Sequence, residues 1–217
     1  MAGNVLADNA GMLLSGLVVT IEISALALLI ALALGIVVAV LRVAPAAALR
    51  RLGTAYVELF RNIPLLVQIF FLFFALPSAG IVLPAFWCGV LALGIYTAAF
   101  VAEAIRSGIS AVAPGQLEAA LASGLRYPEA MRLVVLPQAI RLTIPPLGNT
   151  VLNMIKNSSL VSAISIADIL GTANLIGAHT FAYVPLFVAA AVLYLALTIP
   201  TAYAINALER RFALVRT

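Results

Sequence analysis

Asn149, Asn153 and Lys156 stand out in a chain that is 65% hydrophobic and only 9% charged. Their spacing, i, i+4 and i+7, puts all three on one face of a helix. An asparagine amide offers hydrogen-bond donors and an acceptor together, and lysine offers a positive charge. Such a face suits holding a small polar solute rather than breaking a bond. Gln68 about mid-span and Glu103 near the end of the third run are also polar groups within apolar spans, where they are costly and usually face a bundle interior or a pathway. Gln68, Glu103, Asn149, Asn153 and Lys156 are therefore the candidate pathway residues. Each has a structural reading beside the functional one: amides and carboxylates bond helix to helix, and Lys156 also fits a span end with its ammonium snorkelling outward. Glu22 fits either role. Glu58 and Arg61, at i and i+3, read as an ion pair at the membrane face. Asp168 reads as an outer-surface residue. No catalytic or metal-binding set is expected. The chain has one histidine, His179, and one cysteine, Cys88, and neither a Ser/His/Asp set nor H-E-x-x-H appears. Cys88, Trp87 and His179 read as packing or interface residues, and a single cysteine excludes a disulfide framework.

The elements that position these residues are long apolar runs. They do not alternate, so helices rather than a barrel are implied. A helix needs ~20 apolar residues to cross a bilayer, and the 217 residues hold about five such stretches. They fall near 12–41, 56–76, 85–105, 138–159 and 183–208. Pro64 interrupts the second. Pro145 and Pro146 lie within the fourth, and adjacent prolines predict a kink or break there. Residues 160–182 read as a span end followed by a surface helix on the outer side. The fold class is thus an all-α polytopic membrane protein, one transmembrane domain over residues 1–217. Residues 1–12 lack a basic leader and no cleavable signal is expected.

Net charge is +4, and every basic residue except Lys156 is arginine. In a soluble protein such a balance could mean nucleic acid; in this one its distribution means topology, and no nucleic-acid partner is expected. With five spans and the N-terminus outside, all the basic residues except Arg61 and Lys156 fall on cytoplasmic segments, from Arg42 to Arg216, and the outer segments hold none. That asymmetry orients the chain with its C-terminus in the cytoplasm.

Between spans three and four lies a polar, charged island, residues 107–137, which this orientation makes cytoplasmic. Within it Glu118, Ala119 and Ala120 are followed after three residues by Gly124, and after nine more by Val134, Val135, Leu136 and Pro137. Good helix formers run from Gln116 to Ser123, Gly124 suits a left-handed turn past a helix end, and Pro128 suits the first turn of the next helix. Pro137 is expected to limit that second helix. A compact helix-turn-helix held between two spans is shaped to dock on a soluble partner.

This spacing resembles the loop of permease subunits of ATP-binding-cassette importers, where it is a coupling helix seated in a groove of the ATPase. The likeness extends over nearly the whole chain, from about Leu14 to Arg211, and is to polar amino-acid importer permeases of the histidine/glutamine/glutamate group. Tyr56–Phe71, with Arg61, Pro64-Leu65-Leu66 and Gln68, is similar to that family's second span. Ala98–Ala120 is similar to its third span and loop, and Leu136–Ile164 to its fourth span. Many members have Gly-Thr where this chain has Asn62-Ile63, and the asparagine form leans toward glutamate, aspartate or glutamine. The resemblance implies the type I importer transmembrane fold, with Glu118, Ala119, Ala120, Gly124, Leu136 and Pro137 coupling to the ATPase. It implies partners: two copies of a cytoplasmic ATPase, an identical or sister permease, and an extracytoplasmic amino-acid-binding protein in a bacterial inner membrane. The chain has no G-x-x-x-x-G-K-[ST] loop, so it is expected to bind no cofactor itself, with Mg-ATP held by the partner. In such a pathway the amides and Lys156 would meet a zwitterionic amino acid.

A stand-alone secondary transporter or channel is the competing class. Against it stand the few spans, the docking loop, and the lack of an internal repeat of the kind that builds many secondary transporters.

Overall fold

The computed structural model describes the backbone of residues 2–212 and the side chains of residues 5–212; Arg216 lies outside the described residues. The elements among those residues are all helical, with no strand among them. In order they are α1 (Ala2–Asp8), α2 (Ala10–Val43), α3 (Ala47–Asn62), α4 (Leu65–Phe70), α5 (Ala85–Ser110), α6 (Pro114–Ala122), α7 (Tyr127–Ala130), α8 (Leu136–Asn157), α9 (Ile169–Thr180) and α10 (Tyr183–Phe212). Helices α2, α5 and α10 are long and apolar enough to cross a membrane alone. Two bent helix pairs, Ala47–Asn62 with Leu65–Ala79 and Tyr127–Ile164 with Ile169–Thr180, bring the number of passes to five when each counts as one.

Helices α2 and α5 form the most extensive packing in the molecule. Small residues let them close on each other. A Cβ on Gly35 would lie 2.6 Å from Val101, and one on Gly94 would lie 2.9 Å from Ile30. In a membrane, where apolar side chains gain nothing by leaving lipid, such close approach is what holds helices together. Ile23, Ala27 and Leu93 fill this seam, joined by Leu65 and Ile69 of α4 and Met154 of α8. Helix α8 meets α5 in the same way: a Cβ on Gly108 would lie 1.9 Å from Thr143 Oγ1 and 2.9 Å from the Ala139 carbonyl.

The second pass differs from its expected form. The chain turns by 100° between Asn62 and Leu65, so residues 56–62 belong to a separate helix that begins at Ala47. Pro64 sets the corner by forcing Ile63 into an extended conformation, φ −95° and ψ 128°. The Gln68 amide then donates to the carbonyls of Phe60 and Ile63, both at 3.0 Å, which closes the end of α3.

The fourth pass departs further. Pro145 and Pro146 lie inside an unbroken α8, so the break expected there is absent. Nor does Pro137 end the preceding helix. Met131–Val135 widens into a π turn, in which the Leu136 N–H bonds to the Met131 carbonyl. The wider turn moves the Leu133 carbonyl away from the Pro137 ring, the clash that would otherwise stop an α-helix. The irregular segment comes later, as a 3₁₀ stretch Ser158–Ile164 ending on Ser165 at φ 62°.

Asp168 is fully buried rather than on the outer surface. Its carboxylate caps α9 by accepting from the Gly171 N–H at 2.8 Å and from the Tyr194 hydroxyl of α10 at 3.0 Å. Thr20 of α2 accepts from the Ile169 N–H at 3.2 Å. Helix α9 is accordingly packed on α2 and α10 through Ile169, Ala173 and Ile176, not laid on the surface as the sequence suggests.

Candidate functional site

The loop between α5 and α8 builds a projecting knob. Pro114 opens α6 at a position where its missing N–H costs nothing. The helix closes on Gly124, whose φ is 89°. The Leu125 N–H bonds to the Ala120 carbonyl at 3.2 Å and the Gly124 N–H to the Leu121 carbonyl at 3.0 Å, the paired bonds of a Schellman stop. A Cβ at Gly124 meets nothing within 4 Å, so glycine is required there for its backbone and not for space. Glu129 reaches back to the Arg126 N–H at 2.9 Å and starts α7. Gln138 of α8 donates to Gln116 of α6 at 3.2 Å, fixing the knob to the helix that follows it. Ala120 is buried, whereas Glu118, Ala119, Gly124, Leu136 and Pro137 are exposed.

The polar stripe of α8 lies where the spacing predicts. Asn149, Asn153 and Lys156 are all exposed, on a face the chain leaves open. They do not converge on one cavity. Asn153 lines a space of about 160 Å³ with Tyr96, Thr97 and Phe100 of α5 and Thr150 and Asn157 of α8. With Met154, the lining is amide, hydroxyl, aromatic and thioether groups, without a charge. Sequence reasoning singled out only Asn153 among these. Asn157 continues the every-fourth-residue series from Asn149 and could have been found by it. Tyr96, Thr97 and Phe100 carried no comparable signal.

The two remaining candidates lie elsewhere. Gln68 is committed to the α3–α4 corner and borders a separate apolar cavity of about 390 Å³. Glu103 is the centre of an arginine cluster. Arg42 of α2 donates to its Oε2, Arg106 Nε donates to Oε1 at 3.2 Å, and Arg61 stands 3.9 Å away. This cluster ties the ends of α2, α3 and α5. Glu58 and Arg61 do not pair with each other: among the described residues Glu58 makes no ion pair, and Arg61 leans over the Phe100 ring at 5.1 Å. Cys88 is buried, His179 is exposed at the end of α9, and Trp87 packs edge-on against Phe86.

The family described as "binding-protein-dependent transport system inner membrane component" matches residues 11–214. The chain is 46% identical over 208 residues to a probable glutamine ABC transporter permease, GlnM of Bacillus subtilis, covering 96% of both chains. It is 40% identical over 177 residues to the glutamate/aspartate import permease GltJ of Escherichia coli, covering 76% of this chain and 72% of that one. Its fold superposes on a chain from the crystal structure of an amino acid ABC transporter with histidines, with a TM-score of 0.91 and 36% identity over 95% of this chain and 96% of the other. Five apolar passes in this arrangement are the transmembrane fold of ABC type I importer permeases. The chain belongs to the binding-protein-dependent transport system inner membrane components, as a multi-pass permease subunit of an ABC transporter and a transport component rather than an enzyme.

Proposed function

We propose that the chain forms half of the translocation pathway of an ATP-driven polar amino-acid importer and is moved by a separate ATPase gripping the α6 knob. Membership of the family implies an ATPase and a binding protein as partners. The proposal adds that the permease works as a pair, identical or sister, served by two ATPase copies. The observation that carries it is the division of the polar surface: α6 projects, closed by the Gly124 turn, while the amide stripe of α8 opens away from the chain's own core. An unpaired permease leaves that stripe facing lipid, and a second permease turns it into an enclosed path. Asn149, Asn153 and Lys156 lie along this path, with the Tyr96–Asn153 cavity as its cargo stop. Glu103 and Gln68 hold the surrounding helices in register. The knob residues Glu118, Ala119, Ala120, Gly124, Leu136 and Pro137 form the docking surface. The names of the glutamine and glutamate/aspartate relatives favour cargo of that class. The basic-residue distribution supports an N-terminus outside and a cytoplasmic knob.

The test is reconstitution of the chain with its binding protein, with and without the ATPase. ATP-dependent uptake from a panel of amino acids is expected, with glutamine, glutamate or aspartate preferred. Asn153→Leu should lower uptake at least tenfold. Gly124→Asp should insert normally, since the site is open, yet lose uptake because the left-handed turn and the docking groove reject it. Ion-driven flux without ATPase would overturn the reading in favour of a secondary transporter.

A further inference from the structure

A second cavity, of about 410 Å³, opens beside the one that holds Asn153. The two share Phe100. Its charged lining comes from Glu58 and Arg61 of α3, with Arg42 and Glu103 at the back. The back pair is occupied: the Glu103 carboxylate is already held by Arg42 and Arg106. The front pair is held only loosely or not at all. Arg61 is 3.9 Å from Glu103, beyond a hydrogen bond, and its guanidinium rests over Phe100. Glu58 makes no ion pair among the described residues although it stands one turn from Arg61 on the same helix. The Asn62 amide only bonds back to the Glu58 carbonyl, at 2.7 Å. An arginine held only loosely by Glu103 and a carboxylate without an ion pair thus line a common space without pairing with each other.

We propose that this cavity is an exit site for the amino-acid cargo, with Arg61 receiving the α-carboxylate and Glu58 the α-ammonium. The inference rests on the reading that the Asn153 cavity belongs to the pathway. The order along α5 agrees with it: Tyr96 and Thr97, then Phe100, then Glu103, run toward the arginine-rich end. Thr97 and Glu103 are about 9 Å apart at 1.5 Å per residue, a step of one small molecule. The first cavity offers amides and hydroxyls, which hold a zwitterion weakly. The second offers full charges of both signs. Because both groups face only the zwitterionic head, the exit site does not select the side chain. A ligand with a carboxylate but no ammonium would be repelled by Glu58, and one with an ammonium but no carboxylate by Arg61. The zwitterionic head of phosphatidylethanolamine carries the same two charges, so the test separates it from free amino acid.

The reporter is Asn62→Cys in the assembled permease–ATPase complex, held in nanodiscs of phosphatidylglycerol alone; the native Cys88 is buried and silent. Modification by a charged methanethiosulfonate reagent is timed with L-glutamine or L-glutamate added. Both should protect Cys at 62, and glutaminamide and N-acetylglutamine should not. Adding Glu58→Gln or Arg61→Gln should raise the half-protecting concentration at least tenfold, and Arg61→Lys should restore most of it. A merely structural Arg61 would leave the ligand dependence of Glu58→Gln unchanged. Protection indifferent to Glu58→Gln and Arg61→Gln, or absent altogether, overturns the exit site, as does slowing by phosphatidylethanolamine in place of amino acid. If Asn153→Leu still abolishes uptake in that case, the pathway stands and only the exit site falls. If Asn153→Leu leaves uptake intact, the pathway itself falls.

Discussion

Two proline-bearing passes of this molecule behave in opposite ways. At a single proline, Pro64, the chain turns through 100°. At two adjacent prolines, Pro145 and Pro146, the helix continues without a break inside α8. The proline ring is the same in each, so the surroundings decide. At the corner, the open carbonyls of α3 are taken up by the Gln68 side chain, which rewards a bent chain. In α8 the helix is clamped along its length. Gly108 of α5 sits against Thr143 just before the prolines, and Ile205 of α10 sits against Gly148 just after them. Thr143 and Thr150 bond back to the carbonyls of Ala139 and Pro146 at 2.7 and 2.8 Å. A proline frees carbonyls; whether the chain breaks depends on what receives them and on how tightly the neighbours grip.

That contrast can be broken by loosening each clamp. The largest effect is expected from Gly108→Val, which drives a side chain into Thr143 and the Ala139 carbonyl. It should cost about 3 kcal/mol, the upper range for overpacking, and the loss should appear as a lowered thermal midpoint and poor recovery of monodisperse complex. Gln68→Leu should cost about 2 kcal/mol, because it strands the Phe60 and Ile63 carbonyls. It should also speed proteolysis or thiol labelling at the α3–α4 corner; an unchanged corner would assign the bend to Pro64 alone. The smallest effect is expected from Pro146→Ala. It should stabilise by about 1 kcal/mol, less than the ~3 kcal/mol that separates proline from alanine in an open helix, because the clamp already holds α8. A large gain there, seen in a thermal melt, would mean that the prolines strain α8 after all.

Local chemistry was legible in the sequence. Gly124 and Pro128 act through their own backbone preferences, and the turn between α6 and α7 could be drawn from them. The polar face of α8 followed from periodicity, and the run of apolar segments from composition. What could not be read depends on residues far apart in the chain. Glu103 finds Arg42, 61 positions away, and so leaves Arg61 and Glu58 apart. Asp168 is buried because Tyr194 and Thr20 come to it from two other helices. Gln68 has the composition of a pathway residue and the geometry of a helix stop. Distinguishing the two requires knowing where Phe60 and Ile63 point their carbonyls, which no spacing rule supplies.

The π turn at Met131–Val135 has a directional effect. It inserts one extra residue into the winding, and one residue is about 100° of rotation. The π turn therefore sets the rotation of α6 and α7 relative to α8. Deleting a single residue there would leave the amide stripe of α8 in place and swing α6 and α7 by more than a quarter turn about it, so that they would turn a different face outward.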